Sequence, residues 1–91
     1  MPLRLELFYS PYCPRCRQAR ALLRSVAADW PAEDLQLEEL DVLQELDRAV
    51  TAGIFRTPAL LIDGVLQPGS VPARRHIEAM LRQRRMARRP E

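Results

Sequence analysis

From Leu3 to Tyr9, Leu3, Leu5 and Leu7 alternate with Arg4, Glu6 and Phe8, the two-residue period of a strand. Ser10-Pro11 breaks the alternation. The period then lengthens: Ala19, Leu22, Leu23, Val26 and Ala27 fall at i, i+3, i+4, i+7 and i+8, one apolar helical stripe. Pro14 suits the first turn of that helix, where a missing N–H costs nothing. Asp29-Trp30-Pro31 ends it, because a proline disfavours helical backbone in the residue before it. A second strand is predicted from about Leu35 to Asp41. Asp41 then caps a short second helix that carries Leu43, Leu46 and Val50 inward and stops at Gly53. Pro58 precedes a third strand, Ala59 to Ile62, apolar on both faces. Asp63-Gly64 is a two-residue hairpin turn into a short fourth strand, Val65 to Gln67. Gly69-Ser70 opens a last helix, with Ser70 as its cap and Ala73, Ile77, Met80 and Leu81 as its buried side.

The order β-α-β-α-β-β-α places the chain in the α/β class. The opening βαβ unit predicts a parallel pair with a right-handed crossover. The hairpin adds antiparallel strands, giving a mixed four-stranded sheet with helices on both faces. Ninety-one residues are read as one domain spanning 1–91. Nothing along the chain reads as a repeat, a linker or a low-complexity stretch, apart from a basic C-terminal end from about residue 82. The longest uninterrupted apolar run is short, Ala59 to Ile62, and Arg4 and Glu6 interrupt the first strand. The expectation is a chain without a membrane or export segment, located in the cytoplasm. A reducing cytosol seldom uses a disulfide as a staple, so two cysteines there invite another explanation.

Composition narrows the picture further. A balance of 47% hydrophobic and 29% charged residues is globular rather than disordered. The aromatics are Phe8, Tyr9, Tyr12, Trp30 and Phe55, so the core is mostly aliphatic. A net charge of +2 is too small to imply a partner. All 14 basic residues are Arg, which excludes chemistry that needs a lysine amine, such as a Schiff base or a P-loop. One His and two Cys exclude a zinc finger built within one chain. From Pro72 to Glu91, seven Arg stand against Glu78 and Glu91, a net +5. Such an end attracts nucleic acid or anionic lipid, guides an acidic partner protein, or merely suits a helix C-terminus. It lacks interleaved aromatics and a broad apolar face, which favours the last reading and no nucleic-acid or membrane partner.

The strongest chemical signal is Tyr9-Ser10-Pro11-Tyr12-Cys13-Pro14-Arg15-Cys16. A Cys-x-x-Cys directly after a strand and at the start of a helix puts the first thiol where N–H groups and the macrodipole favour negative charge. Cys16 lies one turn later, close enough for a disulfide and more enclosed. Cys13 is therefore the expected nucleophile toward a substrate disulfide, and Cys16 the thiol that resolves the mixed disulfide. Arg15 and Arg17 either stabilise the thiolate further or are solvated helix-start residues, since exposed charges are screened. Tyr9, Pro11 and Tyr12 could form an apolar lip for a partner, and His76 reads as a surface residue. A different reading keeps the cysteines as a buried apolar pair, or as half of a metal site. That site needs two more ligands, supplied by another chain, because His76 is the only imidazole.

The segment Phe8-Tyr9-Ser10-Pro11-Tyr12-Cys13-Pro14-Arg15-Cys16 resembles the active-site segment of glutaredoxins and of small glutaredoxin-like thioredoxins. Thr57-Pro58-Ala59-Leu60-Leu61-Ile62-Asp63-Gly64 resembles their second signature, in which a cis-proline precedes the hairpin. The matching element order runs from about Leu3 to Leu81. The resemblance implies a thioredoxin fold and a thiol–disulfide oxidoreductase acting through Cys13 and Cys16. It implies that Pro58 is cis and faces the cysteine pair, with the Thr57 main chain pairing a substrate segment in β fashion. Tyr12, Pro14, Arg15, Thr57 and Pro58 are then the substrate-binding residues. The partners are disulfide-containing protein substrates and a reductant, either a thioredoxin-reductase-like enzyme or glutathione. The protein is expected to act as a monomer without a tightly bound cofactor or a metal.

Two departures qualify the resemblance. Thioredoxins carry a buried acid six residues before the first cysteine; here that position is Leu7, and its neighbour Glu6 points to the other face of the strand. Glutaredoxins carry Gly-Gly and then an acid near the glutathione γ-glutamyl end; here the stretch is Gly69-Ser70-Val71. One glycine and a helix N-terminus remain there to hold a carboxylate, so Gly69 and Ser70 are the candidate contacts for glutathione as co-substrate. The alternative function is a non-catalytic thioredoxin-like binding module, holding a metal or cluster through Cys13 and Cys16 between chains. A weaker one is an adaptor whose basic end docks nucleic acid.

Overall fold

The computed structural model describes residues 2–87. Its elements are β1 (Leu3–Tyr9), α1 (Pro14–Ala28), β2 (Leu35–Asp41), α2 (Leu46–Thr51), β3 (Ala59–Ile62), β4 (Val65–Leu66) and α3 (Arg74–Ala87). The strands form one sheet in the order β2-β1-β3-β4. β1 and β2 run parallel, from Leu3 opposite Leu35 to Tyr9 opposite Asp41. β3 lies antiparallel on the other side of β1, and β4 closes the Asp63-Gly64 hairpin. Both turn residues have positive φ, 50° and 82°, as a type I′ hairpin turn requires. The mixed sheet is therefore the one the sequence predicts, with β4 one residue shorter.

Each face of the sheet carries its own core. Leu3, Leu5, Leu7, Leu60 and Ile62 pack against Ala19, Leu23 and Val26 of α1 and against Ile77 and Leu81 of α3. On the opposite face, Phe8, Leu40, Ala59 and Leu61 pack around Ala49 of α2. Phe8 is thus as buried as the leucines it alternates with, because β1 is central and covered on both sides.

The second helix departs from its sequence reading. It starts at Leu46. Asp41 closes the turn before it, its carboxylate accepting from the Leu43 N–H at 2.9 Å and its carbonyl from the Gln44 and Glu45 N–H groups. Leu43, Leu46 and Val50 face solvent, at 63%, 57% and 70% exposure, and Ala49 is the buried residue. A small side chain lets this short helix lie close on Phe8, and that contact fixes which face turns inward. Gly53 does end the helix. Its φ of 77° lets its N–H reach the Val50 carbonyl at 3.1 Å and the Ile54 N–H reach that of Ala49 at 3.0 Å, a Schellman closure. A Cβ at Gly53 meets nothing within 4 Å, so Gly53→Ala carries only the left-handed backbone penalty, about 1–2 kcal/mol. Urea unfolding should show that loss with an unchanged m-value.

The last helix starts at Arg74, three residues later than a cap at Ser70 implies. Ser70 does not cap it; its hydroxyl donates to the Pro58 carbonyl at 3.1 Å, and Ala73 is exposed. Arg74 pairs with Asp29 and Glu78, Arg84 with Asp63, and Arg85 with the buried Asp34 while its guanidinium stacks 4.8 Å over the Trp30 ring. Much of the basic charge of this end is therefore matched by carboxylates from the turns around it. Arg88, Arg89 and Glu91 lie outside the described residues. Among those described, no helix is long and apolar enough to cross a membrane.

Candidate active site

β1 ends at Tyr9, and the chain turns at once. The Cys13 N–H donates to the Ser10 carbonyl at 3.2 Å, and the Tyr12 N–H to the Ser10 hydroxyl at 3.4 Å. This turn leaves Cys13 extended, with φ −108° and ψ 114°, as the N-cap of α1, with Pro14 at the first helical position. Cys13 Sγ accepts the Cys16 N–H at 3.2 Å. A sulfur thus fills the place usually taken by a Ser or Asp oxygen, aimed into the donors of a helix start. Cys16 sits one turn on, 1% exposed, its sulfur accepting the Ser10 N–H at 3.4 Å. Both thiols are free.

The Thr57–Pro58 peptide bond is cis, as the resemblance implies, and it faces this helix start. The Cys13 thiol donates toward the Thr57 carbonyl at 3.8 Å. Pro58 is buried, held from behind by the Ser70 hydroxyl. A cleft of about 260 Å³ opens beside it, lined by Arg15, Arg56, Thr57, Pro58, Gly69 and Ser70.

The two thiols are driven apart electrostatically. The hydrogen bond from Cys16 holds the Cys13 thiol below its ordinary value against a smaller effect of burial, with help from the Cys16 and Arg15 backbone N–H groups and from Thr57. Burial pushes the Cys16 thiol up, and its hydrogen bond to Cys13 adds to that. A group with a depressed pKa ionises at lower pH. Iodoacetamide should therefore modify Cys13 with a midpoint below the normal thiol range, while Cys16 stays slow until the protein unfolds. A rate–pH profile with peptide mapping checks this, and a single midpoint shared by both thiols contradicts it.

No guanidinium is among the causes of the Cys13 shift; Arg15 acts on it through its backbone N–H. The Arg15 side chain instead lines the cleft, and Arg17 is exposed. Leu7 is fully buried in the α1-side core, whereas Glu6 lies on the other face, paired with Arg48 at 2.8 Å. β1 therefore places no acid behind the cysteines. Tyr12 is 86% exposed at the rim and Pro14 is exposed, while Tyr9 lies under the Arg20 guanidinium at 4.1 Å. Arg20 and Arg24 both hold Glu39. Burial works to raise that carboxyl, but the two guanidiniums prevail and keep it below the usual range.

Gly69 and Ser70 line the cleft beside Arg15 and Arg56, while the helix N-terminus expected there is at Arg74. Arg56, which directly precedes Thr57-Pro58, carries no signal in the sequence, and Ser70 binds the Pro58 carbonyl instead of capping α3.

Residues 3–82 match the family described as Thioredoxin domain. The chain belongs to the thioredoxin family. It is 27% identical over 82 residues to a thioredoxin of Methanocaldococcus jannaschii, covering 90% of this chain and 95% of that one. Among solved structures it resembles a thioredoxin variant from Halobacterium salinarum, with a TM-score of 0.72 at 18% identity over 89% of this chain and 73% of that one. It also resembles the first two thioredoxin domains of Saccharomyces cerevisiae Eps1p, with the same TM-score and identity over 93% of this chain and 36% of that longer one. These structural likenesses establish the thioredoxin fold. None of these relatives is described as a glutaredoxin, so the glutaredoxin side of the resemblance rests on the local sequence segments alone.

Proposed function

We propose that this thioredoxin-family protein is a thiol–disulfide oxidoreductase that reduces or exchanges disulfides through Cys13 and Cys16. The Cys13 thiolate attacks one sulfur of a substrate disulfide; the S–S bond breaks and the other sulfur leaves as a thiolate, which takes up a proton. Cys16, as its thiolate, then attacks Cys13 Sγ. The second substrate thiol leaves and the Cys13–Cys16 disulfide closes, so two electrons have passed to the substrate. An external dithiol reductant of the thioredoxin-reductase type restores the starting state. With no helix start at Gly69-Ser70 to hold a glutathione carboxylate, a protein reductant is the better fit. A reducing cytoplasmic setting suits this cycle.

The observation that carries the reading is the opposed pair of thiols at one helix start, one lowered and partly open, the other raised and enclosed. The platform supports it. Among the described residues, Thr57 makes no backbone–backbone hydrogen bond, and its carbonyl meets only the long contact from the Cys13 thiol, which suits pairing with an extended substrate segment. Arg15 and Pro58 line the cleft with Thr57, and Tyr12 and Pro14, exposed on either side of Cys13, are the further substrate contacts of this reading.

The test is a single turnover without added reductant, using the reduced protein and a protein disulfide such as insulin. One disulfide reduced per protein, with the protein recovered lighter by two hydrogens and bridged from Cys13 to Cys16, is the expected result. Protein purified without chelator is assayed for metal in parallel. Stoichiometric zinc or iron in a dimer that chelation dissolves, together with no turnover, would establish the metal-sharing module instead.

A further inference from the structure

Six arginines, Arg20, Arg24, Arg48, Arg74, Arg84 and Arg85, are each within ion-pair distance of a carboxylate. Among the described residues, Arg15 and Arg56 have no carboxylate within ion-pair distance, and both line the cleft at Thr57-Pro58. Among the described residues, no acidic side chain lines that cleft. Nor, among the described residues, does any line the adjoining groove of about 200 Å³ between the 53–56 segment and Pro68-Gly69, which shares Arg56 and Gly69 with it. Phe55, in the same groove wall, is 97% exposed. Residues 1–71 hold seven Arg against ten acids, a net −3, so the positive character here is local.

We propose that Arg15 and Arg56 select the substrate: this site prefers protein disulfides whose attacked cysteine lies in an extended, acidic segment. The inference rests on the oxidoreductase reading and adds the substrate class to it. A segment paired along Thr57 passes between Arg15 on the α1 side and Arg56 on the loop before β3. Side chains alternate along such a strand, with neighbours within about 7 Å of the cysteine. Asp or Glu one or two positions away is then within reach of a guanidinium, whose fork takes a carboxylate through two parallel hydrogen bonds. Phe55 offers an apolar face beside that contact. The preference is an attraction between guanidiniums and the substrate's carboxylates, so it is screened by salt.

The experiment compares kcat/KM for two disulfide-bridged peptides identical except that Asp and Glu flank the cysteine in one and Ser and Gln in the other. At low ionic strength the acidic peptide should be reduced roughly three- to tenfold faster. At about 1 M salt, where the screening length is about 3 Å, the two should converge. The double variant R15Q/R56Q should bring the ratio close to one, and R15K/R56K should keep part of it. Equal rates in the wild type, or a ratio unchanged in R15Q/R56Q, would overturn the proposal while leaving the oxidoreductase reading intact. Reduction of neither peptide overturns that reading itself. Oxidised glutathione serves as a third substrate: arginine dependence confined to it assigns the cations to a free tripeptide carboxylate and sinks the acidic-segment proposal.

Discussion

Cys13→Ser should remove disulfide reduction altogether, lowering the rate by about 10³-fold or more, into the background of the reductant alone. A serine hydroxyl is not ionised at neutral pH and does not exchange with a disulfide. The fold, however, should survive. Cys13 is the N-cap of α1, and its sulfur accepts the Cys16 N–H; serine is a preferred residue for that position. The variant should therefore unfold at close to the wild-type urea concentration while being inactive, which separates loss of chemistry from loss of structure. Cys16→Ser should behave differently. It keeps the backbone N–H donors at the helix start, so Cys13 still attacks, but nothing resolves the product. A mixed disulfide should accumulate and be visible by mass as a covalent adduct that added dithiol releases. If Cys13→Ser still reduced insulin at a rate near wild type, the assignment of the nucleophile would be wrong.

Phe8→Ala should be the most destabilising of the single substitutions considered, by about 3–5 kcal/mol. Phe8 is 1% exposed and is the only aromatic in the α2-side core, among Leu40, Ala49, Ala59 and Leu61. The site cannot readily collapse around the lost ring. Its neighbours there are a sheet fixed by hydrogen bonds and a helix whose own buried residue is an alanine. For a domain whose whole stability is typically about 5–15 kcal/mol, that is a large part of it. Urea unfolding gives the magnitude. Hydrogen exchange should show the amides of α2 losing protection first, because Phe8 is the largest side chain in the core between that helix and the sheet. A loss below about 1 kcal/mol, with α2 still protected, would mean that the second core is not what fixes the helix.

The contrast between α1 and α2 explains what could be read from the sequence. α1, β1 and β3 declared themselves because their pattern is local: a stripe of Ala19, Leu23 and Val26, an alternating run, four apolar residues after a proline. In α2 the apolar count misled. Leu43, Leu46 and Val50 are larger than Ala49, but the distance available between helix and sheet selects the small residue, and only the packed structure reveals that distance. Ser70 misled for a related reason. It has the chemistry of a cap and sits before a helix, yet its partner is the Pro58 carbonyl, which the hairpin brings back to it. The carboxylates of Asp29, Asp34 and Asp63 are likewise far in sequence from Arg74, Arg85 and Arg84, so the basic end looked less neutralised than it is. The cysteine pair was legible because Cys-x-x-Cys, the turn before it and the helix it starts form one continuous segment. Arg56 was not, because a lone arginine before a proline carries no pattern until the cleft places it opposite Arg15.

β4 spans only Val65 and Leu66, opposite Ile62 and Leu61, and the backbone pairing ends with the Gln67 N–H on Leu60. The sheet is therefore left with a bare margin at Thr57 and Pro58, and a bare margin accepts any strand, including one from another copy of the same chain. Pro58 supplies no N–H to such a pairing. Arg15 and Arg56 would also have to meet their own counterparts across it. Strand pairing between two copies is thus disfavoured at the place where the sheet is left open, by the same two guanidiniums that are proposed to choose the substrate.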